Sequence, residues 1–224
     1  MRAARDAVVD TMGCERSADP AADAPTRRFQ TLVSLMLSSQ TKDQVTFACM
    51  QRLLAAGLTA SRLAAASEAE IAALLSAPPA VGFWRKKAVY LRAAAQHCAA
   101  AHGGDIPPTL EGLLALAGVG PKMAHICMTA AWGRSEGIGV DTHVHRIANR
   151  LGWVRTAMPE QTRAALEALL PREEWAELNV LLVGFGQQRC TPVAPQCEGC
   201  LARSSCPTGL GQLAASPKRR LPDW

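Results

Sequence analysis

The stretch Leu116-Ala117-Gly118-Val119-Gly120-Pro121-Lys122 joins two amphipathic segments, and the rest of the chain is best read outward from it. Two glycines around one small apolar residue make a tight turn in which backbone can approach a ligand closely. Pro121 suits the first turn of a following helix, where its missing N–H costs nothing. Free amides in the turn, together with the N-terminus of that helix, make a natural phosphate cradle. An ordinary glycine-rich helix connector would look the same, so the neighbours have to separate the two readings.

Lys122 follows directly and would stand in the first turn of the new helix. A lysine ordinarily holds its proton until about pH 10.4. Partial burial and the positive end of a helix dipole both disfavour the ammonium there, which suits an amine nucleophile that forms Schiff bases. The chain has only five lysines (Lys42, Lys86, Lys87, Lys122, Lys218), so the candidates for such a role are few. Further on, Asp141 opens Val140-Asp141-Thr142-His143-Val144-His145-Arg146 just ahead of a helical pattern. Asp141 reads as a helix N-cap whose carboxylate can also face a pocket, stabilise positive charge and relay a proton. His143 and His145 are two apart, so they do not share a helix face and do not read as a metal pair.

Almost every other segment carries the 3.6-residue apolar period, and none shows sustained alternation. Phe29, Leu32, Val33, Met36 and Leu37 mark one helix. Thr41 to Gln44 and Ser67 to Glu70 read as capping boxes, Gly103-Gly104 as the stop of a long helix from Trp84, and Thr109, Pro159 and Pro171 as further starts. The expectation is an all-α protein of about ten short helices without internal repeats. Hydrophobic residues at 49% against 19% charged are the composition of a folded globular protein. The formal net charge of +5 gathers at Arg85 to Arg92, Arg146 to Arg155 and Lys218-Arg219-Arg220, which suits an anionic partner. No apolar run reaches the ~20 residues of a membrane helix, and Arg2, Arg5, Asp6 and Asp10 argue against a secretory signal.

Of eight cysteines, four crowd into Cys190-x6-Cys197-x2-Cys200-x5-Cys206. That clustering reads as a metal centre in a reducing compartment rather than as disulfides. Structural zinc prefers two tight pairs, widely separated. One tight pair flanked by longer gaps suits a larger cubane cluster better, with zinc as the alternative.

Taken together, Leu37-Ser38-Ser39-Gln40-Thr41-Lys42-Asp43, Gly118-Val119-Gly120-Pro121-Lys122, Val140-Asp141-Thr142-His143 and the cysteine spacing resemble the endonuclease III family, over roughly Arg27 to Pro207. Gly-Pro-Lys-Met-Ala and Val-Gly-Phe-Gly-Gln-Gln are more similar to its eukaryotic branch. The resemblance implies two helical domains with a helix-hairpin-helix motif and a C-terminal [4Fe–4S] loop. Residues 25–135 would form a six-helix barrel, 1–24 with 136–211 a cluster domain, and 212–224 a flexible tail. It implies a bifunctional DNA glycosylase and abasic-site lyase acting on oxidised pyrimidines, after flipping the nucleotide out of the duplex. Lys122 would be the nucleophile at C1′, Asp141 its acidic partner, Gln40 the residue that fills the gap and Phe83 an apolar wedge. Gly118, Val119, Gly120 and His143 would meet DNA, and Cys190, Cys197, Cys200 and Cys206 would hold the cluster. The partner would be double-stranded DNA carrying oxidised pyrimidines or abasic sites, bound by a monomer in the nucleus and mitochondrion, with no membrane involved.

Three departures stand against that pattern. Ala117 replaces a proline, Ala77-Pro78-Pro79-Ala80 lengthens the approach to Phe83, and the loop Thr191 to Gln196 has no basic residue, leaving Arg189 and Arg203 to compensate. Among rivals, an adenine-mispair glycosylase would lack a lysine at 122 and an 8-oxoguanine glycosylase would lack the cysteines. A non-catalytic DNA-binding module would use the hairpin alone.

Overall fold

A computed structural model describes residues 5–215, with side chains described up to 211. Within that span the chain forms twelve α-helices and no strand: α1 (Val8–Met12), α2 (Ala24–Ser38), α3 (Asp43–Ala55), α4 (Ala60–Ala65), α5 (Glu68–Ser76), α6 (Trp84–Ala101), α7 (Leu110–Leu114), α8 (Pro121–Trp132), α9 (Thr142–Leu151), α10 (Pro159–Leu169), α11 (Trp175–Gln188) and α12 (Pro207–Ala215). Two 3-10 turns, Cys14–Arg16 and Arg172–Glu174, complete it. The all-α expectation holds, with twelve helices where about ten were expected; the single turn α1 is one that no start signal announces. The first four residues of the 212–224 tail continue α12, and Lys218-Arg219-Arg220 lies outside the described residues.

Two apolar cores organise these helices. One runs from Phe29 to Met128 and gathers Leu32, Met50, Leu53, Ile71, Leu91 and Leu113. The other runs from Ile138 to Phe185 and includes Val144, Ile147, Leu166 and Leu182. At the centre of the first core, α2 is buried without interruption from Phe29 to Leu37, more than the single apolar face its pattern announces. Two of its polar residues find partners there: Gln30 donates to the Leu58 carbonyl at 3.0 Å and accepts from Asp19 N at 2.8 Å, and Thr31 donates to the Arg27 carbonyl at 3.0 Å.

The N-terminal segment ties the two halves together. Cys14 packs against the first core, while α1 lies on both α3 and α11. Val9 N donates to Gln187 Oε1 at 3.0 Å, and the same Gln187 side chain donates to Asp43 Oδ2 at 2.7 Å.

Most helix starts are where local chemistry puts them. Ser67 and Glu70 form the reciprocal capping box, Thr109 caps α7, and Pro121 is the first residue of α8. The box read at Thr41 to Gln44 does not form. Lys42 is the N-cap of α3 without a side-chain bond, because the Thr41 hydroxyl is turned away to accept from Gly82 N at 3.2 Å. A contact 41 residues distant outcompetes the local one.

Candidate active site

The hairpin between α7 and α8 closes through Val119 N donating to the Leu116 carbonyl at 3.1 Å. Its two glycines serve different purposes. Gly118 has φ +83°, and a Cβ there would sit 2.5 Å from the Tyr90 ring, so both backbone and packing exclude other residues. At Gly120 a Cβ would meet nothing within 4 Å, so the open face for a ligand lies there and not at Gly118. Val119 is buried in the first core.

Behind the hairpin, Lys122 stands half-buried at the second position of α8. Asp141 caps α9, accepting from Val144 N at 2.8 Å through Oδ1 and leaving its other oxygen without that duty. The two side chains share a cleft of about 1060 Å³ with Gln40, Asp43, His125 and His143. A smaller cavity of about 170 Å³ lies behind, and Ser38, Asp43, Lys122, Asp141 and Val183 line both, so lysine and aspartate belong to the partition between them. Volumes of a few hundred Å³ upward are those of ligand sites, and the larger cleft accommodates a nucleotide.

The groups of the partition sense one another. Burial pushes the His143 imidazole below its usual range; Asp141 and Asp43 pull it up, while Arg146 and Lys122 push it down. At neutral pH His143 is therefore an uncharged ring, and Arg146 donates to its Nδ1 at 3.1 Å. Asp43, which the sequence offers only as part of a helix start, lines the same two cavities as Lys122 and accepts from Gln187 at 2.7 Å.

Gln40 and Phe83 have unusual backbones. Among the described residues, only Gln40 (φ +50°), Phe83 (φ +55°) and Ala194 (φ +49°) combine a side chain with left-handed backbone. That conformation costs on the order of 1–3 kcal/mol per residue and persists only where the surroundings enforce it. Both side chains are exposed, Phe83 at 65%. Phe83 does not line the cleft; it stands at the start of α6, next to the Gln40 turn. Gly82 touches that turn closely enough that a Cβ would lie 2.7 Å from the Gln40 carbonyl oxygen. The lengthened Ala77–Ala80 approach is held by Arg52, which donates to the Leu74, Pro78 and Pro79 carbonyls at 3.1, 3.5 and 3.3 Å.

The four C-terminal cysteines come together around one small cavity, with Arg150, Arg189 and Arg203 in its wall. All four are free thiols. Arg150 donates to Cys190 Sγ at 3.5 Å and to the Thr191 and Pro192 carbonyls at 2.7 Å each. Its own carbonyl accepts from Cys206 Sγ at 3.1 Å. Arg203 Nε is buried with no partner and faces the same hollow. Thiols flanked by three guanidinium groups, one of them with a buried Nε–H left over, form a cradle for an anionic group. Among the described residues no three His, Cys, Asp or Glu side chains converge on a single point; the thiols ring a hollow instead. Arg189 and Arg203, expected to compensate on the DNA face for the non-basic loop, belong to this wall. The basic stretches thin out likewise: Lys87 is buried and Arg92 donates to the Ala66 carbonyl at 3.0 Å, which leaves Arg85, Lys86 and Arg155 exposed.

A helical protein with a glycine hairpin, a nucleotide-sized cleft and a cysteine-lined cradle defines a class, and residues 33–172 match the family described as HhH-GPD superfamily base excision DNA repair protein. Within that class, the bovine endonuclease III-like protein 1 is 53% identical over 213 residues, covering 94% of this chain and 69% of that protein. The chicken protein of the same name is 52% identical, covering 93% and 74%. Among solved structures, a trapped endonuclease III–DNA covalent intermediate superposes with a TM-score of 0.77 at 26% identity, covering 87% of this chain and 91% of that one. The chain belongs to the endonuclease III family of base excision repair DNA glycosylases.

Proposed function

We propose that this glycosylase removes oxidised pyrimidines from duplex DNA and then cleaves the strand, with Lys122 as nucleophile and Asp141 as its acidic partner. The observation that carries this reading is the placement of both side chains in the partition of one nucleotide-sized cleft, directly behind the hairpin. A neutral Lys122 amine attacks C1′ of the everted nucleotide, the glycosidic bond breaks, and the base leaves with a proton. Asp141 takes up the amine's proton and steadies positive charge at the sugar. Opening of the sugar ring gives an imine, whose acidified C2′ proton is lost as the 3′ phosphate departs. Water then hydrolyses the imine and returns the lysine. A covalent endonuclease III–DNA intermediate has been trapped in the structural relative named above, which supports the same chemistry here.

In this reading the open face at Gly120, with the backbone of Gly118 and Val119, grips a phosphate, and His143 meets DNA beside Asp141. Gln40 occupies the gap left by the everted nucleotide and Phe83 wedges the duplex. The protein acts as a monomer on double-stranded DNA, in the nucleus or in an organelle with its own genome. We assign 25–135 to a barrel domain and 1–24 with 136–211 to a cluster domain. Cys190, Cys197, Cys200 and Cys206 would hold a [4Fe–4S] cluster, which when bound would supply a rigid cross-link for the loop.

Borohydride reduction tests the core of this. The parent protein is expected to be captured covalently on duplex DNA containing thymine glycol, and Lys122→Gln to give no capture. Capture of Lys122→Gln at the parental level would overturn the assignment. Capture on abasic-site DNA but not on thymine glycol would overturn the substrate alone.

A further inference from the structure

Lys87 is 7% exposed, yet no acid among the described residues pairs with it. A buried ammonium is costly unless every proton finds an acceptor. Here each one does: Nζ donates to the Leu37 carbonyl at 2.6 Å, the Ser39 carbonyl at 2.6 Å and the Thr41 hydroxyl at 2.9 Å. Leu37 and Ser39 sit at the C-terminal end of α2, where helix carbonyls lack internal partners and the dipole favours a cation. The three acceptors bracket Gln40 on both sides, so the ammonium closes the turn that forces Gln40 to positive φ.

The same lysine is tied to Phe83. Its backbone N–H donates to the Phe83 carbonyl at 3.0 Å, one helical turn away. The Thr41 hydroxyl that accepts from Lys87 also accepts from Gly82 N at 3.2 Å. The two exposed left-handed residues, 43 positions apart, thus share one support. Nothing in an ordinary α3 start requires this: the Thr41 side chain forgoes its cap to take part. A solvent-facing lysine at position 87 would serve the helix equally well, so the burial answers to the turn.

We propose that Lys87 is a positioning residue for nucleotide eversion: its ammonium locks the Gln40 turn to the Phe83 bend, so that both side chains meet the duplex as one rigid wedge. This rests on the reading of Gln40 and Phe83 as the inserting residues. Without Lys87 the turn loses its three bonds and each wedge residue relaxes separately. Opening the duplex then costs more, because the unstacking has to be matched by ordering of the protein. Chemistry on an abasic sugar, which leaves the stack readily, depends far less on the wedge.

Four proteins are compared with the parent: Lys87→Met, Gln40→Ala, Phe83→Ala and the double variant Lys87→Met with Gln40→Ala. Two reactions are read for each, single-turnover release of thymine glycol from duplex DNA and borohydride capture on a preformed abasic site. Eversion is followed by the fluorescence of 2-aminopurine placed next to the lesion. Lys87→Met is expected to slow base release about tenfold or more and to reduce the 2-aminopurine signal, with a far smaller loss of abasic-site capture. The double variant should be slower than Gln40→Ala alone by less than the full Lys87→Met effect, since the two changes share one device. Equal losses in both reactions, or an additive double variant, would overturn the proposal. If Gln40→Ala and Phe83→Ala are impaired while Lys87→Met is not, Lys87 alone is excluded. If neither Gln40→Ala nor Phe83→Ala slows base release, the insertion reading fails and this proposal fails with it. Should Lys87→Met not fold, Thr41→Val removes the hydroxyl bridge and is expected to give the same selective loss; no selectivity there overturns the idea.

Discussion

Asp141 performs two tasks that substitution can separate. As N-cap it satisfies the amide of Val144, and as a carboxylate it faces the partition with Lys122. Asparagine caps a helix as well as aspartate does, whereas alanine does not. Asp141→Asn should therefore keep the parental melting temperature while base release falls by about 10²-fold or more. Asp141→Ala should lose the activity and in addition about 1 kcal/mol of stability, read by denaturant titration. A melting temperature lowered equally in both would show that the carboxylate matters only to the fold. Lys87 offers a pH test of a different kind. Burial pulls its ammonium down to about 8, against a small upward pull from Cys49. The unfolded chain holds that proton to about 10.4, so between these values the unfolded state binds more protons and stability rises with pH. Urea titrations at pH 7.5 and pH 10 should show the parent gaining stability relative to Lys87→Met; a constant difference would place the amine in water.

Short-range chemistry was legible at the level of elements, and long-range partnership was not. The caps at Ser67, Thr109 and Asp141 depend on atoms three residues apart, so the sequence displays them. Thr41 looked equivalent, but Gly82 and Lys87 claim its hydroxyl from 41 and 46 residues away. Lys87 was read as part of a basic patch for the same reason, since nothing nearby in sequence marks it as buried. In the hairpin, the motif correctly announced a turn, and the structure divides its glycines by purpose. Gly118→Ala forces a side chain into positive φ and against Tyr90, and should cost about 1–3 kcal/mol in denaturant titrations. Gly120→Ala meets open space, so it should leave stability within about 0.5 kcal/mol while weakening duplex binding. An unchanged affinity for Gly120→Ala would remove the phosphate from this turn.

Two arginines of α9 hold the cysteine loop against the second core. Arg150 bridges α9 to the loop after α11, and Arg146 donates to the Cys190 carbonyl at 2.9 Å from the same helix that carries His143. Loading the cradle should therefore stiffen more than the loop. Removing iron with a chelator is expected to raise amide hydrogen exchange in 189–206 and along α9, while α2 to α6 keep their protection. Exchange confined to the loop would show that these arginines transmit nothing. The fold class, the gathering of the four cysteines and the shared cleft of Lys122 and Asp141 could be anticipated because motifs carry them. Asp43 could not, because the Gln187 side chain that bonds it lies 144 residues away.

That meeting point is small. A single amide side chain, Gln187, reaches Val9 on one side and Asp43 on the other, with Arg5 to Glu177 and Gln188 to Asp6 as outlying stitches. Residues 5–12 thus act as a buckle across the back of a jaw whose teeth are Lys122 and Asp141. Where a strap fastens at one stud, the stud is the place to cut: neither apolar core includes Gln187, so replacing that amide is expected to reach the bite before it melts either half.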